Sequence, residues 1–240
     1  MRTTCDTLLD GRLHLEQPAR GQGYRFNLDP VLLADFAPRA AHVVDLGAGC
    51  GVLGALLLHA GKAQRVTAVE IQAEMAALCR DNAERNGFGS RMSVVSADLR
   101  HIQLADVDGV VFNPPYFAAE RGRGSPNSLR DAARHERHGT LVDFVSFCAR
   151  HRLPGKPFWA AAVIRTERCG ELEEAFRHAA MFPRRLRLVL SRLGAKPHLA
   201  MLEASYLPGE RRVLTSLALH RQGTRAFTSE VGRLVTMGPG

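Results

Sequence analysis

One segment limits the possible folds more than any other: Val43-Val-Asp-Leu-Gly-Ala-Gly-Cys-Gly-Val-Leu-Gly54. An apolar run carrying Asp45 turns through Gly47, Gly49 and Gly51 and re-enters an apolar stretch at once. A strand passing straight into a helix through bare glycines is the opening unit of a parallel βαβ crossover. Along the chain, the apolar runs His42–Leu46, Arg65–Val69, Met92–Ser96, Gly109–Phe112 and Phe158–Ile164 alternate with helical patterns at Val52–His59, Glu74–Asn86 and Leu141–His151. Such alternation predicts an α/β fold, a mostly parallel sheet with helices on both faces.

The two ends read differently. After a last helix over Glu171–Ala180, the runs Arg184–Leu190 and Leu199–Tyr206 are joined by Gly194-Ala-Lys-Pro197, which predicts an antiparallel C-terminal edge. Val213–His220 reads as a further short strand. At the start, Thr7–Leu15 alternates polar and apolar residues, and Gly21-Gln-Gly23 is a turn. Pro30–Phe36 is a short helix that Asp29 can cap. The expectation is an N-terminal cover or lid over residues 1–40 and one α/β domain over 41–240.

Composition excludes several classes. A chain of 240 residues, 45% hydrophobic, can bury one sizeable core. Its longest uncharged apolar run, Val52–Leu58, falls far short of the ~20 residues that span a bilayer. The N-terminus carries no secretory signal pattern, and the five cysteines (5, 50, 79, 148 and 169) form no C-x-x-C pair. Cytoplasmic free thiols, no membrane and no metal site are expected, with Cys50 a small filler in the glycine loop. Lysine plus arginine outnumber acids 32 to 24, an excess that suits a polyanionic partner such as nucleic acid.

The acids around the glycine loop indicate the ligand. Glu70 ends the run after the first helix, where a carboxylate can accept both ribose hydroxyls of a nucleoside. The glycines are spaced D-x-G-x-G-x-G, not the G-x-G-x-x-G that seats a pyrophosphate on helix amides. S-Adenosylmethionine has no phosphate but carries an ammonium and a sulfonium, so a site with acids suits it. Asp98, closing the third run, is placed to accept from the adenine amine.

Val110-Val-Phe-Asn-Pro-Pro-Tyr-Phe117 follows the fourth run, at the strand end where open α/β sheets bind ligands. Two prolines remove donors and fix φ. The Asn113 side-chain carbonyl and the Pro114 backbone carbonyl can then grip the two hydrogens of one NH₂ group. A conjugated amine is a poor nucleophile, and two acceptors would aim it and ease its pyramidalisation without a strong base. Tyr116 offers a face for a flat substrate.

Asp45–Gly51 together with Asn113-Pro-Pro-Tyr116 resembles the class I methyltransferases that modify exocyclic amines. That resemblance implies a Rossmann-like, seven-stranded, mostly parallel sheet, and adenine N6, guanine N2 or glutamine N5 as acceptor. More narrowly, Gly23-Tyr-Arg-Phe-Asn-Leu-Asp-Pro-Val-Leu-Leu-Ala34, Ala133-Arg-His-Glu136, Leu186–Glu203 and Phe227-Thr-Ser-Glu230 are similar to the bacterial tRNA(Val) adenine-N6 methyltransferase family. The resemblance implies an adenine flipped from its loop, stacked on Tyr116 and held at Asn113 and Pro114. Phe26 and Asp29 would belong to a lid over the cofactor, and Asn113 would touch both substrate and cofactor.

Two basic segments would carry the RNA. One is the loop 117–139, with Phe117, Arg121, Arg123 and Arg134 beside the catalytic tetrapeptide. The other is the acid-free run 184–202, where Arg185 and Arg187 share one face of a strand. The sequence thus predicts a monomeric S-adenosylmethionine-dependent RNA adenine-N6 methyltransferase, with tRNA favoured. A protein glutamine-N5 or rRNA guanine-N2 methyltransferase is the enzymatic alternative, and an inactive RNA-binding protein is the non-enzymatic one.

Overall fold

A computed structural model describes residues 2–21, 25–114, 139–153 and 155–240. Two antiparallel strands, β1 (Thr3–Leu8) and β2 (Leu13–Pro18), form a small hairpin sheet of their own. Helix α1 (Asp29–Phe36) leads into β3 (Ala40–Leu46), α2 (Val52–His59), β4 (Ala63–Glu70), α3 (Ala73–Arg85), β5 (Met92–Ser96) and β6 (Gly109–Phe112). Then come α4 (Leu141–His151), β7 (Trp159–Arg165), α5 (Cys169–His178), β8 (Phe182–Arg192), β9 (Pro197–Ser205), β10 (Arg212–Val213), β11 (Leu217–His220) and α6 (Ser229–Met237).

The large sheet runs β5-β4-β3-β6-β7-β9-β8, with the short β10 and β11 both paired to β8. Only β9 is antiparallel to its neighbours β7 and β8. This is the predicted seven-stranded sheet with its antiparallel C-terminal edge, lengthened by two short strands. The order reverses at β3, so β4 and β6 flank it, and the crevice at that switch point is where such sheets bind ligands.

Alternation along each central strand feeds two cores. Val43, Ala68, Val111 and Val163 face one side with Leu33, Leu56 and Leu57. Val44, Val69, Phe112 and Ile164 face the other with Phe144, Phe147 and Phe176. Burial on both faces explains why these strands read as continuous apolar runs. Helix α2 is buried from Val52 through Leu58, which forces the glycine turn before it to lie against packed side chains.

Residues 1–40 divide between two roles. The hairpin is a separate sheet, whereas α1 buries Val31, Leu32 and Leu33 in the main core. The hairpin is pinned to α3 by two asparagines. Asn82 Oδ1 accepts from Glu16 N (2.7 Å) while its Nδ2 donates to Glu16 O (2.8 Å). Asn86 makes the same reciprocal pair with His14 (2.9 and 2.8 Å). Each amide stands in for a neighbouring strand, satisfying backbone groups on the open edge of β2.

Candidate active site

The glycine turn is shaped by sterics before any ligand is considered. Gly51 caps α2 with φ +85°, and a Cβ there would lie 2.5 Å from Cys79 Sγ. No L-residue fits both that conformation and that gap. Amides of Gly47 and Ala48 donate to Val69 O (2.8 and 3.1 Å), folding the turn over the end of β4.

Asp45 and Glu70 hold this turn from beneath. Asp45 is 2% exposed, and its Oδ2 accepts from Gly54 N (3.1 Å) in the first turns of α2. Burial pushes its carboxyl up to about 7; the Gly54 amide opposes that shift, and the Glu70 charge adds to it. Glu70 Oε2 accepts from Gly49 N (2.8 Å), and Oε1 accepts from Gln72 N (2.9 Å). Each oxygen keeps a lone pair for a further donor. Burial raises the Cys50 thiol to about 12, so it fills space without reacting, as expected.

Asn113 follows the last residue of β6, and its strand neighbours β3, which delivers the glycine turn. Its Oδ1 is buried and accepts no hydrogen bond from the described residues. A buried carbonyl left unmatched costs roughly 1–3 kcal/mol, which a substrate donor would recover. Pro114 is buried beside it. Tyr116, Phe117, Arg121, Arg123 and Arg134 lie outside the described residues.

The N-terminal segment reaches the same end of the sheet. Phe26 N donates to Gln17 Oε1 (3.2 Å), which ties the segment to the hairpin. Asp29 does not cap α1, as its side chain was expected to do. Leu28 holds the cap position, and Asp29 is the first helical residue. Its Oδ2 accepts from Asn27 Nδ2 (2.8 Å), and its N–H donates to Asn27 Oδ1 (2.9 Å). Burial raises its carboxyl pKa, opposed by the Asn27 bond and by the charge of Arg165, the last residue of β7.

Two further expectations change. β5 ends at Ser96, so Asp98 lies in the following turn and does not close the strand. Its oxygens accept from Arg100 Nε (3.0 Å to each) and Nη2 (2.6 Å), and that pairing holds its carboxyl below the usual range. A cofactor amine at Asp98 would have to share it with Arg100. Arg185 and Arg187 do share a face, but α1 and α6 cover it. Arg185 pairs with Glu203, donates to Phe36 O (2.6 Å) and lies over the Phe36 ring. Arg187 pairs with Glu230 (2.6 Å) and donates to Thr215 O (3.1 Å). Both guanidinium groups are engaged within the fold, so either would have to exchange these partners to meet RNA.

Sequence reasoning missed Asn82. It is 1% exposed, and besides pinning the hairpin its Nδ2 donates to Cys50 O (2.9 Å) inside the glycine turn. The signal was present: a polar residue sits on the buried stripe of α3 formed by Met75, Leu78 and Cys79.

Comparisons with known proteins bear on the family and the fold. Residues 29–139 match the family described as Methyltransferase small domain. A Cronobacter sakazakii protein named tRNA1(Val) (adenine(37)-N6)-methyltransferase is 32% identical over 193 residues, covering 76% of this chain and 75% of its own. A Bacteroides fragilis protein of the same name is 28% identical over 202 residues, covering 80% and 83%. Among solved structures, a predicted O-methyltransferase, Atu636 from Agrobacterium tumefaciens, superposes with TM-score 0.69 at 24% identity over 88% of this chain and 97% of its own, a likeness of fold. Among the described residues, no helix is long and apolar enough to cross a membrane.

Proposed function

The chain belongs to the tRNA1(Val) adenine-N6 methyltransferase family of S-adenosylmethionine-dependent enzymes, and from that premise we propose that it methylates the exocyclic N6 of an adenine in RNA, with tRNA as substrate. The observation that carries this reading is the buried, unmatched carbonyl of Asn113 at the strand end beside the glycine turn. Asparagine at this point can only accept through Oδ1, and the proline after it contributes a second carbonyl and no competing donor.

The adenine amine has two hydrogens and a lone pair delocalised into the ring. Gripping both hydrogens at Asn113 Oδ1 and Pro114 O fixes the nitrogen and eases its move out of the ring plane. That is positioning and charge stabilisation, together worth several kcal/mol. Neither carbonyl takes up a proton, so the one the amine loses leaves to water. S-Adenosylmethionine, when bound, supplies an electrophilic methyl on a sulfonium. The residues present fit it: Glu70 keeps lone pairs for ribose hydroxyls, and the glycines expose bare backbone. Asp45, beneath the turn, positions the start of α2. In this reading Tyr116 stacks the base, Phe26 and Asp29 form one wall, and Phe117, Arg121, Arg123 and Arg134 meet the RNA.

The names of the relatives and the basic excess both support RNA over a protein glutamine. The test is transfer of labelled methyl from S-adenosylmethionine to bulk unmodified tRNA, followed by nucleoside analysis. N6-Methyladenosine is the expected product; label on guanine or on a protein glutamine would overturn the adenine assignment. Asn113→Ala should lower turnover by about 10²–10³ with cofactor affinity nearly unchanged. Loss of cofactor binding in that variant would transfer the role of the carbonyl from substrate to cofactor.

A further inference from the structure

With Arg185 and Arg187 engaged inside the fold, other cations of the C-terminal part stand exposed. Lys196, Arg221 and Arg225 are all exposed. They sit on two turns, the one joining β8 to β9 and the one that follows β11. The chain has no acid between 184 and 202, and none between 211 and 229.

These turns are stitched to each other. Arg192 Nη2 donates to Thr224 O (3.1 Å), and Gln222 Nε2 donates to Leu193 O (2.7 Å). The second turn is closed on itself: His220 bridges Phe227, Arg221 N donates to Ala226 O (2.9 Å), and Gly223 takes φ +68°. The His220 and Phe227 rings stack at 5.2 Å and 14°. Phe227 remains 38% exposed and Leu193 71% exposed. Between the turns lies an open concavity of about 450 Å³, lined by Leu193, His220, Arg221 and Gln222 among others, with Glu230 on one side, where its carboxylate is neutralised by Arg187. Two side chains thus fix an exposed apolar and aromatic surface, framed by cations, before any partner arrives. Surfaces preorganised in this way lose little entropy on binding.

Position makes the surface relevant to the site. β11 runs parallel to β8, with His220 beside Arg192, so these turns lie at the end of the sheet that carries Gly47, Glu70 and Asn113. From β6 the path crosses β7, β9 and β8 to β11. Four strand spacings of about 4.8 Å make about 19 Å across the sheet, and the register carries His220, beside Arg192, about 17 Å beyond the level of Asn113, so His220 and Asn113 lie about 25 Å apart, the span of several nucleotides.

We infer that this platform is a second RNA site, resting on the RNA reading above. A nucleobase flanking the target packs against the Phe227–His220 stack and Leu193, and Lys196, Arg221 and Arg225 hold the adjoining phosphates. The combination of stacking face and cations is the one single-stranded nucleic acid uses. It anchors the loop while the target adenine occupies Asn113.

The test measures binding of labelled unmodified tRNA to the full chain by anisotropy across a salt series. Arg221→Glu with Arg225→Glu should weaken binding about tenfold or more and flatten the salt slope by about 1.4, for two phosphates at about 0.7 each. Phe227→Ala should weaken it about tenfold, and Phe227→Tyr should restore it to within about twofold. Cofactor affinity should be unchanged in every variant. The double arginine variant alters only exposed turn residues, so it decides the matter even if Phe227→Ala fails to fold. Wild-type affinity and slope in that variant, or no tRNA binding by the wild type, would overturn the platform. A wild type that binds tRNA through these residues yet methylates no adenine would overturn the proposed reaction and leave the platform standing.

Discussion

Asp45 is an acid placed where ionisation is costly. At 2% exposure it faces the Glu70 carboxylate field, the Gly54 amide opposes the shift only in part, and its carboxyl rises to about 7 from an ordinary value of 3.8. Because the folded value lies above the unfolded one, the folded state holds the proton more tightly between pH ~4 and ~7. Stability from this group is therefore full below pH ~4 and lost as pH rises through ~7. His42, His59, His151 and His198 all have lowered values through burial, and they act in the opposite sense. The clean measurement is a difference. Asp45→Asn keeps an acceptor for Gly54 and removes the charge, so the cofactor-free variant should melt higher than wild type at pH 8 and equally at pH 4. The gain is about 2–4 °C per kcal/mol relieved. A melting difference independent of pH would mean that Asp45 is neutral throughout. Asp45, Glu70 and Asn113 were legible because strand ends can be located from apolar runs alone. The Arg100 partner of Asp98 was not, because ion pairing in a turn depends on backbone geometry that no periodicity encodes.

The elements show the same division. Strands β3, β4, β5, β6 and β7 and helices α2 and α4 fall within a few residues of the runs that predict them, since burial on both faces writes itself into composition. Helix α6 is not legible because it is short and finds its partners far along the chain, and the pairing of β1 with β2 is not legible because β1 is short and largely exposed, so little burial is written into its pattern. Asn82 joins the two kinds of element, linking the hairpin at Glu16 O to the glycine turn at Cys50 O. Asn82→Ala would leave both carbonyls and the Glu16 amide unmatched in a site that is 1% exposed. The expected loss is about 2–4 kcal/mol. If the hairpin braces the turn, cofactor affinity should fall by more than global stability alone explains. Calorimetric titration with S-adenosylmethionine at a temperature where the variant is fully folded separates the two; undiminished affinity there would confine Asn82 to a structural role.

Across the whole molecule, the candidate site residues gather at one end of the sheet and ion pairs secure its far flank. The flank is closed by Arg185, which brings together α1, β8 and β9 through Phe36 O, the Phe36 ring and Glu203. Sequence placed this arginine on the correct face but could not see that α1, about 150 residues earlier, returns to cover it. Glu203 is 8% exposed and has Arg185 as its ion-pair partner, so removing the guanidinium strands a largely buried carboxylate. The Arg185 side chain itself is 31% exposed, and solvent reaching it tempers the cost. Arg185→Ala should lose about 2 kcal/mol, which for a chain of this size is about 4–8 °C in melting temperature. Adding Glu203→Gln should return most of it, because the stranded charge is then gone. The double variant should bind tRNA with the wild-type salt slope, since neither side chain belongs to the proposed RNA platform. A shallower slope in Arg185→Ala at full folding would instead mean that phosphate competes with Glu203 for this guanidinium, and the RNA path would then run along the covered face of β8 as well as over the turns beyond it.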